Sequence, residues 1–168
     1  PFETTKKTFE RIETLNYQDL KQRHLDDYCN LFNRVELNLN PNESFEDLPT
    51  DKRLERYRKG KADYGLEELY FQFGRYLLIA SSRKGNLPSN LQGIWARGVD
   101  GAWRVDYHNN INLQMNYWIA CQGNLIECNQ PLIDYIRTLV LPGEKTAKAY
   151  YNARGWTASI SSNIFGFT

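Results

Sequence analysis

Residues 106–118 read DYHNNINLQMNYW and set one aspartate, one histidine and five side-chain amides among Ile, Leu, Met, Tyr and Trp. An amide both donates and accepts hydrogen bonds, which matches a hydroxyl that does the same. Aromatic rings cover the apolar C–H face of a sugar ring. The composition of this stretch therefore suits a neutral, hydroxyl-rich ligand such as a carbohydrate. A structural reading stands beside it, because asparagine is a poor helix former and is costly to bury unless its amide finds partners. With a helix beginning near residue 110, Asn109 or Asn110 takes the N-cap, and Ile111, Met115 and Trp118 form a core stripe. His108, Asn112, Gln114 and Asn116 then still need solvent or partners.

Paired carboxylates would mark glycosidic hydrolysis more directly. The chain offers Asp63, Glu67, Glu68, Asp100, Asp106, Glu127 and Asp134. Asp106 is the carboxylate inside the amide-rich stretch, and with His108 it can form an ion pair or an orienting hydrogen bond. Asp134 reads as an exposed helix residue, and no two of the set stand out as acid and base. Cys29, Cys121 and Cys128 lack metal-ligand spacing and read as half-buried thiols. No metal and no cofactor is expected.

The elements that must hold these residues are helical. Leu20, Leu25, Tyr28, Leu31, Phe32, Val35 and Leu39 fall on one helical stripe, preceded by Asn16 and Asp19 in a capping arrangement and ended by NPNES at 40–44. A shorter helix over about 3–14 precedes it. Leu66, Leu69, Tyr70, Phe73, Leu77 and Ala80 share a face of a second long helix, with Gly74 marking a close helix crossing. Further helices are expected from Ile111 to Cys121, over QPLIDYIRTLV, and after Pro142 up to Gly155, a natural C-cap. Short β pieces are possible in GWTASISSNIF. Some 27 residues separate the helix ending near Arg83 from the one starting near Ile111, and a connection of that length is often functional. It carries Trp95, Trp103, Tyr107, His108 and a set of amides.

Charge is balanced, 21 Lys and Arg against 20 Asp and Glu. No excess exists to neutralise phosphates, so neither nucleic acid nor a membrane surface is expected as a partner. The basic run DKRLERYRKGK at 51–61 reads as a solvated face or linker. The apolar run YLLIA is far short of the ~20 residues a membrane span needs. The chain begins without Met or an apolar leader and is expected to be a piece of a longer protein. NES at 42–44 fits the N-glycosylation pattern, a short match that arises often by chance.

Four stretches together, LYFQFGRYLLIASSRKGNLPSNLQGIW, DYHNNINLQMNYW, NLIECNQPLIDYI and GW…NIFG, closely resemble glycoside hydrolase family 95, the family of α-L-fucosidases with some α-L-galactosidases. The resemblance runs from about residue 16 to the end. It implies an all-α fold, an (α/α)6 toroid of which residues 1–168 would form about half, one partial catalytic domain. It implies an exo-acting hydrolase that removes terminal, α-1,2-linked L-fucose from glycans with inversion. In the family a glutamic acid protonates the leaving oxygen while asparagine side chains, one polarised by an aspartate, hold the attacking water. The family's H-x-N-x-N pattern reads His108-Asn109-Asn110-Ile111-Asn112 here. The resemblance thus implies Asn110 and Asn112 as the catalytic water-holding pair, with His108, Trp95 and Gln92 against the sugar.

The acid and the polarising aspartate are expected outside this chain, so the partners are a fucosylated glycan and the remainder of the barrel, and the piece alone is expected to be inactive. Such glycans are met outside the cell, which points to a periplasmic or secreted parent. GWTASISSNIF departs from the His-containing version many members carry, and WARGVDGAWR looks variable. The choice between fucose and galactose is therefore open. Alternatives are a phosphorylase-like toroid enzyme and a non-catalytic carbohydrate-binding module.

Overall fold

The computed structural model describes residues 2–39, 45 and 47–168. Among them stand six α-helices: α1 (Phe2–Glu13), α2 (Tyr17–Phe32), α3 (Thr50–Arg58), α4 (Tyr64–Ser81), α5 (Asn112–Gln122) and α6 (Gln130–Tyr151). Two short strands, β1 (Tyr107–His108) and β2 (Ser161–Ser162), and two single 3-10 turns, Ala102–Val105 and Ile126–Asn129, complete the set. The fold is all-α, as expected. It divides into two compact units, Pro1–Arg34 and Val35–Thr168.

In the first unit, Asn16 caps α2 by accepting from the Asp19 N–H at 3.0 Å, while its own Nδ2 donates to Asp19 Oδ2 at 2.8 Å. This reciprocal pair satisfies a donor that the helix start leaves free. Along α2 the rings of His24, Tyr28 and Phe32 stack at centroid distances of 5.8 and 5.1 Å. The helix ends at Phe32, where the Asn33 N–H reaches the Cys29 carbonyl at 3.0 Å. That is well short of the terminator expected at 40–44. Those residues, with the glycosylation-like triplet, lie outside the described ones.

In the second unit the basic run forms helix α3 rather than a linker. As a solvated face it is borne out, since nearly all of it is exposed, but Arg53 is buried. Arg53 Nε and Nη2 donate to Asp63 Oδ2 and Oδ1 at 2.9 and 2.7 Å. Asp63 also caps α4, accepting the Leu66 N–H at 2.9 Å. A charge-dense stretch conceals such an arginine, because the acid that justifies its burial lies ten residues downstream.

Helix α4 buries Leu66, Arg75, Leu78 and Ile79 and turns Leu69, Tyr70 and Phe73 outward. The expected face is thus only partly the buried one. Arg75 redirects it: fully buried, it donates from Nε to the Gly123 carbonyl at 3.1 Å, and from Nη1 to the Val35 carbonyl at 3.1 Å and Gln72 Oε1 at 2.8 Å. Helix α5 shows the same reversal. Leu113, Tyr117 and Ala120 are buried, whereas the expected stripe of Ile111, Met115 and Trp118 is 42, 50 and 58% exposed. Both faces of α5 carry apolar residues, so periodicity alone cannot choose. The Tyr117 hydroxyl, bonded to Ser82 Oγ and to the Ser89 N–H, selects the inner one.

Helix α6 is a single helix running through Pro142, not the two expected. Pro142 removes one N–H and its ring crowds the preceding turn, a cost of about 3 kcal/mol that α6 bears while burying Tyr135, Leu139, Gly143 and Ala147 on either side of it. Next to it, the Gly143 carbonyl accepts the Thr157 N–H at 3.2 Å, and a Cβ there would meet the Thr157 carbonyl oxygen at 2.5 Å. The helix ends at Asn152, left-handed with φ 50°, three residues before the expected Gly155. At Gly74, the expected crossing is present but loose: a Cβ would meet only the Ile119 side chain, at 3.7 Å. Opposite signs follow for the two glycines in urea unfolding. Gly74→Ala should stabilise by about 0.5–1 kcal/mol, because it removes unfolded-chain entropy without strain. Gly143→Ala should destabilise by about 1–3 kcal/mol through overpacking.

Candidate active site

The long connection between α4 and α5 is not slack. Ser82, fully buried, donates to the Cys128 carbonyl at 2.8 Å and meets the Tyr117 hydroxyl at 2.8 Å. Further along, the Tyr107 hydroxyl reaches the Pro88 carbonyl at 3.1 Å, and Asn116 Nδ2 reaches the Asn90 carbonyl at 2.8 Å. The Tyr117 and Asn116 bonds fasten the connection to α5, and the Tyr107–Pro88 bond ties it to itself. At its end β1 pairs antiparallel with β2, Tyr107 opposite Ser162 and His108 opposite Ser161. The short β pieces expected in GWTASISSNIF are thus realised as the strand that holds His108.

Beside this ribbon lies a cavity of about 670 Å³, within the size range of small-ligand sites. Its walls include Asn90, Trp103, Asp106, His108, Ser161 and Asn163. His108 Nδ1 sits 2.9 and 3.2 Å from the two carboxylate oxygens of Asp106. The Trp103 ring lies 5.5 Å from the imidazole, tilted by 58°. Trp103, Arg104 and Val105 form a left-handed turn with φ of 57, 58 and 54°. Each such residue costs about 1–2 kcal/mol, a kind of strain that concentrates at ligand sites. In the wall itself, burial pushes the Tyr107 hydroxyl up to about 12, with neighbouring Tyr135 and Tyr117 adding to the shift. Burial likewise raises Tyr135, whose hydroxyl bonds Ser162 Oγ. Both phenols stay neutral at any physiological pH and supply hydroxyl groups rather than charge.

The five amides now separate. Asn109 is structural: its Nδ2 donates to the Ser159 carbonyl at 2.9 Å and its N–H to the Ile160 carbonyl. Gln114 Nε2 ties to the Asn109 carbonyl at 2.8 Å, and Asn116 holds Asn90. Asn110 is exposed and Asn112 half-buried, and neither side-chain amide has a hydrogen-bond partner among the described residues. The expected N-cap does not form. Helix α5 starts one residue after Ile111, whose side chain cannot cap, because Asn109 is committed to the β2 side instead.

Of the five residues singled out, only His108 lines this cavity. Gln92 and Trp95 line a neighbouring one with Arg97 and Asp100. Trp95 is 44% exposed and its ring lies 6.4 Å from that of Tyr76. Asn110 and Asn112 follow directly after β1, on the approach to α5. Most sequence carboxylates have other occupations. Glu67 accepts from the Tyr57 hydroxyl, Glu68 from the Leu39 N–H, and exposed Asp134 from Gln130. Sequence reasoning missed Asn90, Ser161 and Asn163 as walls: the β1–β2 pairing brings Ser161 and Asn163 to His108, while the bonds from Asn116 to Asn90 and from Leu91 to Asp106 bring Asn90. Among the described residues no three His, Cys, Asp or Glu side chains gather as a metal site. The thiols differ from one another: Cys128 is buried, Cys29 half-buried and Cys121 exposed.

An all-α scaffold that presents neutral amides, hydroxyls and an aspartate-held histidine beside a cavity has the components of a carbohydrate-active helical enzyme. The chain belongs to glycosyl hydrolase family 95: the profile of that family's catalytic domain matches residues 16–168. It is 46% identical over 160 residues to Alpha-L-fucosidase 2 of Arabidopsis thaliana, covering 94% of this chain and 19% of that protein. It is 42% identical over 155 residues to Probable alpha-fucosidase A of Aspergillus niger, covering 91% and 19%. The protein of the same name from Aspergillus oryzae is 38% identical over 152 residues, covering 89% and 21%. The chain thus spans about a fifth of the length of these relatives.

Proposed function

We propose that this chain forms part of the catalytic domain of an exo-acting α-L-fucosidase that hydrolyses terminal α-1,2-linked fucose with inversion. The observation that carries the reading is the division of the amides. Three of the five are committed to the fold, and the two without partners, Asn110 and Asn112, are the two that the family pattern gives to the attacking water. A neutral amide is a weak base alone. Its carbonyl oxygen becomes a better acceptor of a water proton when its NH2 group is held by a carboxylate, since such networks polarise one another.

In this reading the carboxylate that polarises the asparagine, and the glutamic acid that protonates the leaving oxygen, come from the remainder of the protein. Asp106 is engaged with His108 and takes neither role. His108, Gln92 and Trp95 contact the sugar and its neighbour. The outward apolar faces of α4 and α5 seat the other helices of a six-hairpin toroid, of which residues 1–168 make up about half. A periplasmic or secreted location follows from the substrate class.

Inversion requires water and acid on opposite faces of the sugar. Proton NMR of the full-length enzyme acting on a 2′-fucosylated oligosaccharide should show β-fucose as the first product, in phosphate-free buffer. Initial release of α-fucose would overturn the mechanism, and a phosphate requirement would overturn hydrolysis itself.

A further inference from the structure

We infer that Asp106 is a positioning residue that fixes the imidazole of His108 with Nδ1 protonated and Nε2 free to receive a sugar hydroxyl. The inference rests on the reading of His108 as a substrate contact, and it assigns a function to a carboxylate that this reading leaves without one.

A carboxylate can only accept, so the nitrogen 2.9 and 3.2 Å from its two oxygens must be the donor. That places the ring proton on Nδ1. In the neutral imidazole the remaining nitrogen, Nε2, is then an acceptor. No other hydrogen bond to the His108 ring exists among the described residues. Nε2 is the polar atom the ring has left for a ligand, and the ring lines the cavity.

The pair is also sheltered and held. The two side chains are 13 and 17% exposed, which keeps bulk water from competing for the bond. Backbone pairing to Ser161 fixes the histidine Cα, and the Leu91 N–H reaches the Asp106 carbonyl at 3.4 Å. The Trp103 ring, 5.5 Å away, restricts rotation of the imidazole from one side. With backbone and one face constrained, the Asp106 bond is what decides which nitrogen turns outward. Carboxylate partners of this kind fix the tautomer and orientation of metal-bound imidazoles, where losing one typically costs 10- to 100-fold in affinity or activity, and the same geometry acts on His108 without a metal.

A double-mutant cycle in the full-length enzyme separates this role from a general structural one. The variants are Asp106→Asn, His108→Ala and the two together, with kcat and KM measured on a 2′-fucosylated oligosaccharide. Asp106→Asn should lower kcat/KM by about 10- to 100-fold, because an amide can donate to Nδ1 and so admit the other tautomer. In the His108→Ala background the same change should cost less than about twofold, since its target is gone. Independent, multiplicative losses would overturn the inference, as would full activity of Asp106→Asn. Asp106→Ser, too short to reach Nδ1, repeats the cycle should the asparagine variant not fold. If neither variant folds, Asp106 is a folding residue and the inference is overturned. Full activity of His108→Ala would instead remove the reading on which the inference rests.

Discussion

Asn112→Gly in the full-length enzyme is expected to lower kcat by about 10²–10³-fold, the scale for removing one pre-positioned polar group from a reacting centre. The structural cost should be small. Asn112 is the first residue of α5, and its side chain holds nothing else in the described structure. Glycine keeps the backbone N–H and C=O, so the helix ladder is untouched, and its entropic cost is at most about 1 kcal/mol. Circular dichroism and the melting temperature should therefore stay close to the parent's while turnover falls. The contrast with Asn116 makes the measurement decisive. Asn116→Gly removes the bond to the Asn90 carbonyl inside the helix, and it should act through stability first. Unchanged turnover in Asn112→Gly would refute the role of the pair.

The second large effect concerns folding. Asp63→Ala should destabilise the protein by about 3–5 kcal/mol, because it leaves the Arg53 guanidinium buried without its counter-charge. It also deletes the N-cap of α4, a smaller term of about 1 kcal/mol. Side chains of the pair are 7 and 2% exposed, so solvent cannot replace the lost partner. The same pair gives a pH signature. The bonds from Arg53 hold the Asp63 carboxyl below its ordinary value of 3.8, helped by the Leu66 N–H and opposed by burial. A carboxyl lowered in the folded state contributes stability above its unfolded value and loses it as pH falls through the native one. Acid unfolding of the parent should therefore include a loss below about pH 4 that is absent in Asp63→Ala. Urea midpoints measured between pH 7 and pH 3 would show it, and parallel curves for the two proteins would contradict it.

What could be read from the residues, and what could not, divides along physical lines. Helix existence was legible wherever a 3.6-residue period met a cap, as at Asn16 with Asp19. The boundaries near prolines were not. Pro142 reads as a break, yet α6 continues through it, and the Gly143–Thr157 contact that fixes it there involves residues distant in sequence. The choice of buried face failed in α4 and α5 for one reason. Both helices are apolar on two sides, and Arg75 and Tyr117 decide between them through partners no local window contains. The site was legible as a composition: five amides beside a histidine and aromatic rings. Which amides were structural became visible only when Ser159, Asn90 and the Asn109 carbonyl came within reach. Periodicity would have left Gln114 and Asn116 as free as Asn112.

The pairing that carries His108 joins segments far apart in the chain, with Asn109 and Ser159 separated by 50 residues. A ribosome adding 5–20 residues each second makes β1 roughly 3–10 s before β2 exists to receive it. During synthesis the histidine strand therefore waits without a partner while α5 and α6 form around it. The side of the molecule that carries the His108 cavity is a late assembly, closed by a segment that emerges after the helices.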